Sequence, residues 1–220
     1  MINTHLDHIV VGASSLESGA SYVEQLLGVQ VPDGGEHAMM GTHNKVMTLG
    51  EGVYLEIIAV NPEMTPPKQP RWFGLDDPSV ISSLKNEPRL LTWAVNTSDL
   101  AELERRSKIA VGKIQQAERG DLRWKVALPD DGRLSAAGFF PLCIEWQMSF
   151  HPSEKMPDMK CRLERIEMHH RRAPWLQQCL QSIGADTLVS IENCADSAPS
   201  VLTATISTPS GERILSSAIG

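Results

Sequence analysis

The stretch that decides the fold is HLDHIVVGASSLESGASYVEQLLGV, residues 5–29. Its first part, about residues 5–11, is rich in β-branched and apolar side chains, which is typical of a strand. Ser14 or Ser15 can cap a following helix whose apolar residues recur at helical spacing, and Gly28 ends that helix. Three more apolar segments follow, at about 29–32, 45–49 and 53–60. The predicted order of this unit is therefore β-α-β-β-β.

The same order recurs twice further along the chain. A second unit begins with RLLTWAVNTSDLAELERR at residue 89, and a third begins with CRLERIEMHHRRAPWLQQCLQSIGAD at residue 161. Strand-helix alternation can arise by chance in an α+β chain, but the repeated strand, cap, helix and glycine favour a repeat. Two such units side by side can form a cup of the kind that small-molecule sites favour. We predict an α+β fold of repeated βαβββ modules, which form a curved mixed sheet around a small-molecule cavity.

A proline-rich stretch separates the first two units. NPEMTPPKQPRW, residues 61–72, holds too many prolines for regular structure and is expected to link the two units across the surface. We expect a paired βαβββ domain over residues 1–155, with modules at about 3–61 and 88–150. A third βαβββ module, at residues 160–218, is expected to pack on the first two.

The bulk composition excludes several classes of partner. The 220-residue chain has a formal net charge of -7 and no long basic run, which argues against a nucleic-acid surface. No stretch approaches the roughly 20 apolar residues of a membrane helix, so no membrane partner is expected. The N-terminus lacks a secretory signal, and the four cysteines show no metal-binding spacing. These features predict a cytoplasmic protein with reduced thiols and a small-molecule substrate or ligand, and a homodimer is compatible with them.

Two strand residues of the first unit have side chains able to bind a metal. Because side chains alternate along a strand, His8 is predicted to face one side of the sheet and Asp7 the other. Glu56 lies within the apolar run VYLEIIAV, where burial of a carboxylate is costly unless it is paired or binds a metal. His8 and Glu56 could therefore converge on one cation. Alternatively, His8 is a hydrogen-bonded core residue and Glu56 pairs with Lys45 or Arg89.

The second unit supplies a third candidate ligand. Glu145, in PLCIEWQMSF, falls where Glu56 falls in the first unit, and Thr92 falls where His8 lies. Thr92 is a poor metal ligand. His8, Glu56 and Glu145 would thus leave one open position, an arrangement typical of catalytic metal centres. Imidazole with carboxylates suits Zn, Ni, Mn, Fe or Co, and we expect all three side chains to point into one cavity.

Four further residues are candidates for substrate binding. PRWFGLDDP, residues 70–78, places Arg71 beside Trp72, which could bind a carboxylate or a flat ring. The alternative is a loop that Trp72 anchors in the core. We expect this segment at the mouth of the cavity. Asn44, in GTHNKV, and Thr92 complete the set.

These residues carry a resemblance to a known group. LDHIVVGASSLESGASYVEQLLGV resembles the opening strand and helix of the vicinal oxygen chelate superfamily, the fold of glyoxalases and extradiol dioxygenases. GTHNKVMTLGEGVYLEIIAVNP, PRWFGLDDP and LPDDGRL…FFPLCIEW…HP resemble its glyoxalase-like domain subfamily, over about residues 3–155. The resemblance implies paired βαβββ modules and, in many members, a divalent metal. It matches His8, Glu56 and Glu145 to the strand ligands, whereas Thr92 departs from the His or Gln usual at its position.

Two hypotheses for the function follow. The first is a metal-dependent enzyme of lyase, isomerase or dioxygenase type that acts on a small oxygenated molecule. The metal would bind two vicinal oxygens and stabilise an enolate-like charge, with Glu56 or Glu145 as the catalytic base. A dioxygenase is less favoured because it usually needs two histidines and one carboxylate. The second hypothesis is a metal-free protein that binds and sequesters a small molecule in an apolar cup.

Overall fold

The computed structural model describes residues 2–218. The first group of elements is β1 (Thr4–Gly12), α1 (Leu16–Leu27), β2 (Asp33–His37), β3 (Thr42–Gly50) and β4 (Val53–Val60), followed by α2 (Pro78–Asn86). The second is β5 (Arg89–Thr97), α3 (Leu100–Arg106), β6 (Lys113–Arg119), β7 (Leu122–Leu128) and β8 (Leu142–Trp146). The third is β9 (Arg162–His170), α4 (Ala173–Ser182), β10 (Ser190–Asn193), β11 (Val201–Thr208) and β12 (Gly211–Ser216).

The opening strand and helix form for the reasons that the sequence indicates. The Ser18 backbone N–H donates to Ser15 Oγ at 3.2 Å, and the Ser15 N–H donates to Ser18 Oγ at 3.3 Å. This reciprocal pair satisfies two of the amides that a helix start leaves open. At the other end, Gly28 adopts the left-handed conformation, with φ 73°, and stops the helix.

The strands form two sheets. The larger sheet has eight strands in the order β2-β3-β4-β1-β5-β8-β7-β6, and the smaller has four in the order β10-β9-β11-β12. The antiparallel pair of β1 and β5 joins the two halves of the larger sheet. This sheet curls so strongly that its edge strands β2 and β6 approach each other. The predicted fold class is confirmed, whereas the division of the chain into domains at about residue 155 stays a prediction.

The core on the helix side of the larger sheet is continuous with the third group of elements. It contains β1 and β5 side chains such as Ile9 and Trp93, together with Leu176 of α4 and Ile166 of β9. The apolar side of the smaller sheet is therefore buried in the same core as the larger sheet. Burial of this kind contributes roughly 1.5–3 kcal/mol for each large apolar side chain.

The concave face of the larger sheet is closed by residues 61–77, which we call the connector. Trp72 and Phe73 of the connector are buried among concave-face residues such as Ile58 and Trp124. Phe73 has φ 58°, a left-handed conformation that costs about 1–2 kcal/mol for a non-glycine residue. Its burial offsets that cost. The connector thus forms part of the lining of the cup and does not merely cross its rim.

Two further features concern the cysteines and the length of the helices. All four cysteines are free, and burial raises the pKa of the Cys143 thiol to about 12. Within residues 2–218, no helix has the length and apolar character required to cross a membrane.

Candidate active site

A β-bulge at Asp7 decides which side chains β1 presents to the concave face. Leu6 and His8 pair with two adjacent residues of β5, so Asp7 between them has no partner. An unpaired residue of this kind re-aims the side chains around it. The Asp7 carboxylate accepts a hydrogen bond at 2.7 Å from the indole of Trp146, which lines the concave cavity. The prediction that Asp7 and His8 face opposite sides is therefore wrong, because strict alternation does not survive a bulge.

Asp7 is the centre of a buried hydrogen-bond network. Its side chain is 0% exposed, and its Oδ1 lies 2.5 Å from Nδ1 of His8. Its Oδ2 accepts from Asn96 Nδ2 at 2.9 Å, Trp146 Nε1 at 2.7 Å and His151 Nε2 at 3.0 Å. Burial opposes ionisation, but the hydrogen bonds and the electrostatic attraction of His151 and His8 outweigh it and hold the pKa of Asp7 below its usual range. Asp7 is therefore an ionised carboxylate that accepts from four side chains.

His8 has its two ring nitrogens in different surroundings. Nδ1 faces Asp7, and Nε2 lies 3.7 Å from Oε2 of Glu56. The imidazole stacks on Tyr54 with ring centroids 4.5 Å apart. Burial, followed by the nearby carboxylates of Asp7 and Glu56, raises the pKa of Tyr54, so its hydroxyl stays protonated. The contact of Nδ1 with Asp7 leaves Nε2 as the ring nitrogen that faces Glu56.

Glu56 is held by a chain of polar contacts from three other strands. Asn44 Nδ2 donates to Glu56 Oε1 at 2.6 Å, and Asn44 Oδ1 accepts from Arg119 Nη1 at 2.7 Å. Arg119 Nη1 also lies 3.3 Å from Nε2 of His37, whose Nδ1 is 3.1 Å from the Thr42 hydroxyl. Burial, and next the positive charge of Arg119, lowers the pKa of His37 to about 3. His37 is therefore neutral and accepts from Arg119.

These side chains border a cavity of about 40 Å³ on the concave face. Its aromatic wall is formed by Tyr54, Trp72, Phe73, Trp124 and Trp146. Its polar wall is formed by His8, His37, Asn44, Glu56 and Arg119. The indole N–H of Trp72 is buried and has no hydrogen-bond partner in the described part of the chain. An apolar wall with a few convergent polar groups is the usual lining of a small-molecule site.

The cavity brings together some of the predicted residues and not others. His8, Glu56, Asn44 and Trp72 all line it, although their roles stay predictions. Arg71 and Thr92 do not line it: Arg71 Nη1 pairs with Asp76 at 2.6 Å, and Thr92 Oγ1 donates to the Gly138 carbonyl at 2.9 Å. Each of these two side chains is therefore engaged in holding a loop. Of the alternative partners considered for Glu56, Lys45 pairs with Asp33 and Arg89 bonds to Ser83.

Glu145 lies on the other face of the sheet. Leu142, Ile144 and Trp146 of β8 line the cavity, so the alternation of the strand turns Glu145 away from it. Its Oε2 accepts from the Leu100 amide at 2.9 Å, and its Oε1 accepts from Lys125 Nζ at 2.8 Å. The prediction that Glu145 points into the same cavity as His8 is wrong. The apolar residues of β8 occupy the positions that face the cavity, and Glu145, on the other face, binds the start of α3.

We expect Glu145→Gln to lower the free energy of unfolding by about 1 kcal/mol, because it weakens the bonds to Lys125 and to the α3 amide. The carboxylate is largely buried, but its partner Lys125 is 34% exposed, so solvent screens part of the effect. Ligand affinity, followed by tryptophan fluorescence, should stay within twofold. A tenfold loss of affinity at unchanged melting temperature would instead place Glu145 at the site.

The residues at the cavity do not fit a divalent metal held by the protein alone. Across residues 2–218, no three side chains of His, Cys, Asp or Glu are grouped in a way that could hold an ion. His8 and Glu56 offer two donors, one fewer than the three protein ligands typical of catalytic zinc sites. His37 also lines the cavity, but its two ring nitrogens contact Thr42 and Arg119. The predicted third ligand, Glu145, lies on the opposite face of β8.

Several side chains at the cavity carry weak sequence signals or none. Asp7 stands beside His8 in an apolar strand, and two adjacent titratable residues there are a signal for a buried pair. Arg119 has no such signal, because it reaches the cavity from an edge strand far away in sequence. Trp124 and Trp146 read as ordinary core residues until the strand order is known.

The comparisons with known proteins agree with this architecture. The family model described as "Glyoxalase-like domain" matches residues 6–184. The chain belongs to the glyoxalase-like domain family. That family is part of the vicinal oxygen chelate superfamily, so the resemblance noted in the sequence is confirmed.

Solved structures similar to this glyoxalase-like protein have low sequence identity. A hypothetical protein from Staphylococcus aureus is 13% identical, with a TM-score of 0.61, and the match covers 98% of this chain and 85% of that chain. A methylmalonyl-CoA epimerase from Streptomyces coelicolor is 17% identical, with a TM-score of 0.41 and coverage of 69% and 99%. The epimerase from Mycobacterium tuberculosis is 21% identical, with a TM-score of 0.39 and coverage of 64% and 85%. No curated protein matches the sequence. The likeness to the Staphylococcus aureus protein concerns the fold alone.

Proposed function

We propose that this glyoxalase-like protein is an enzyme that moves a proton on a small oxygenated molecule bound in the concave cavity. The observation that carries the proposal is the buried pair of Asp7 and His8, with Oδ1 and Nδ1 2.5 Å apart. A carboxylate in this position fixes the tautomer and the orientation of an imidazole, whose other nitrogen then serves as a general base.

The remaining polar groups support the same chemistry. His8 Nε2 would take a proton from a carbon next to a carbonyl group, and Glu56, 3.7 Å from Nε2, would be the second acid-base group. Asn44 holds Glu56 in place through its 2.6 Å hydrogen bond. The aromatic wall would limit the access of water to the bound molecule, which would strengthen the electrostatic interactions inside the site. Return of the proton to another carbon or face gives an isomerase, and loss of a leaving group gives a lyase.

The dioxygenase form of the metal hypothesis gains no support from this donor set. That chemistry commonly uses two histidines and a carboxylate. His8, His37 and Glu56 all line the cavity, but the His37 nitrogens contact Thr42 and Arg119, and within residues 2–218 no three such side chains are grouped to hold an ion.

A metal-free binding protein is the second candidate. The aromatic wall of the cavity favours it, because stacked rings bind flat ligands without any reaction. The network around Asp7 would then be structural, since its contacts with Asn96, Trp146 and His151 would tie β1 to β5, to β8 and to the segment that follows β8.

His8→Asn separates the two candidates. The Asn amide can still donate to Asp7, but the basic Nε2 is lost. We expect a panel of small ketones and 2-oxo acids to exchange C–H for C–D in D₂O in the presence of wild-type protein, measured by NMR. The variant should slow that exchange by about 10²–10⁴-fold, the usual contribution of a general base.

The outcomes are distinct. Ligand binding without any exchange by the wild-type protein would favour the binding-protein candidate. Exchange that persists in the His8→Asn variant would exclude His8 as the base, and an unchanged melting temperature is needed to show that the variant is folded.

A further inference from the structure

The side chain of Arg119 crosses the gap between the edge strands β2 and β6. Arg119 ends β6, and its Nη1 donates to Asn44 Oδ1 at 2.7 Å and to His37 Nε2 at 3.3 Å. The Arg119 side chain packs on Gly35 of β2, where an added Cβ would come within 2.9 Å of Arg119 Cδ. Glycine at position 35 therefore gives the guanidinium room to reach the cavity.

Arg119 lacks the partner that a partly buried arginine usually has. In the described portion of the chain, no carboxylate oxygen lies within 4.0 Å of the Arg119 guanidinium, so Arg119 forms no ion pair there. Arg71, by contrast, pairs with Asp76 at 2.6 Å. Both groups that accept from Arg119 are neutral, because Asn44 is an amide and His37 stays unprotonated. A guanidinium has five N–H donors and prefers carboxylates and phosphates, which it can bind with two parallel hydrogen bonds.

A second donor nearby also lacks a partner. Trp72 is 5% exposed, its indole nitrogen makes no hydrogen bond within residues 2–218, and its ring packs edge-on against His37 with centroids 4.9 Å apart. His37 thus contacts both Arg119 and Trp72 on one side of the cavity. Leaving a buried N–H unsatisfied is unfavourable, so an acceptor from a ligand or water is expected there.

We infer that Arg119 and Trp72 form an anion subsite, which binds the carboxylate of a small carboxylic acid whose reacting carbon lies toward His8. Asn44 stands between this subsite and Glu56: it accepts a hydrogen bond from Arg119 and donates one to Glu56. The negative charges of the ligand and of Glu56 are thereby kept on opposite sides of the Asn44 amide. As a statement about the substrate class, this inference rests on the proposed proton transfer at His8.

The test uses matched pairs of an acid and its neutral amide: acetate and acetamide, pyruvate and pyruvamide, benzoate and benzamide. We expect the wild-type protein to bind at least one acid about 10- to 100-fold more tightly than its amide, by calorimetry or tryptophan fluorescence. Arg119→Gln should abolish this preference while leaving the affinity for the amide within threefold. Arg119→Lys should retain part of it, because the charge is kept and the paired donors are lost.

Controls separate this inference from the proposed function. Arg123→Gln removes a mostly exposed arginine that pairs with Glu118 and does not line the cavity, and it should leave the preference unchanged. His8→Asn should also leave the preference unchanged while slowing C–H exchange by about 10²–10⁴-fold. If the preference persists but no exchange depends on His8, the subsite stands and the proton transfer fails. No preference for any acid, or a preference that survives in a folded Arg119→Gln variant, would overturn the subsite.

Discussion

Asp7→Asn is expected to lower the free energy of unfolding by about 3–5 kcal/mol, the usual cost of breaking a buried charged network. The reason is the number of donors that converge on one carboxylate: Trp146, His151 and Asn96 all donate to Oδ2, and His8 contacts Oδ1. An amide at this position offers one oxygen in place of two and turns an N–H toward the remaining donors. Denaturant unfolding monitored by tryptophan fluorescence measures the change.

Asp158→Asn is the matched control for this substitution. Asp158 pairs with Arg162 and Lys160 on the surface, where solvent screens the charges, and its replacement should change stability little. A loss below about 1 kcal/mol for Asp7→Asn would contradict the view that the network is held together by the charge of Asp7.

Acidification from pH 6.5 toward pH 3 is expected to destabilise the protein, with His37 as a principal cause. The pKa of His37 is lowered to about 3 in the folded state, first by burial and then by Arg119, whereas an unfolded histidine titrates near 6.5. Between these pH values the unfolded state binds a proton that the folded state does not. The free energy of unfolding therefore falls by up to about 1.4 kcal/mol for each pH unit of acidification.

His37→Gln should remove most of this pH dependence, measured by denaturant unfolding at pH 7, 6, 5 and 4. A residual slope of the same sign is expected from His170, whose pKa is also lowered by its partial burial. Asp7 adds to the loss only at the acid end of this window, because its contribution begins to fall near the ordinary pKa of an aspartate and continues to fall below pH 3. Arg119→Gln should raise the pKa of His37 in the folded state, because it removes one of the charges that lower this pKa. The pH range over which acid destabilises the protein should then end at a higher pH. An equal slope in wild type and His37→Gln would show that His37 is not the cause.

The fold could be predicted because its signals are local. Strand, cap, helix and glycine stop follow one another within residues 5–29, and the structure has Ser15 and Gly28 at the ends of α1. Apolar periodicity then fixes which face of each element is buried, and the order β-α-β-β-β needs no knowledge of distant contacts.

The site could be predicted only in part, because its geometry depends on pairing between distant strands. His8 and Glu56 lie near each other, since both belong to the same face of adjacent strands. The bulge that turns Asp7 inward arises from the register of β1 on β5, which the local pattern does not encode. The prediction for Glu145 failed for a related reason. Two strands of similar sequence can turn their corresponding residues toward opposite faces of the sheet.

Phe73 and Trp72 belong to a segment that takes no part in strand pairing, yet both face the cavity. Exchange of the connector is therefore expected to change the shape and size of the cavity while the hydrogen-bond ladder of the large sheet stays as it is. Loops tolerate insertions and deletions far better than paired strands do. Under the proposed function, ligand range and sheet pairing are therefore expected to be separable, because the stretch between β4 and α2 can be altered without changing a strand pair.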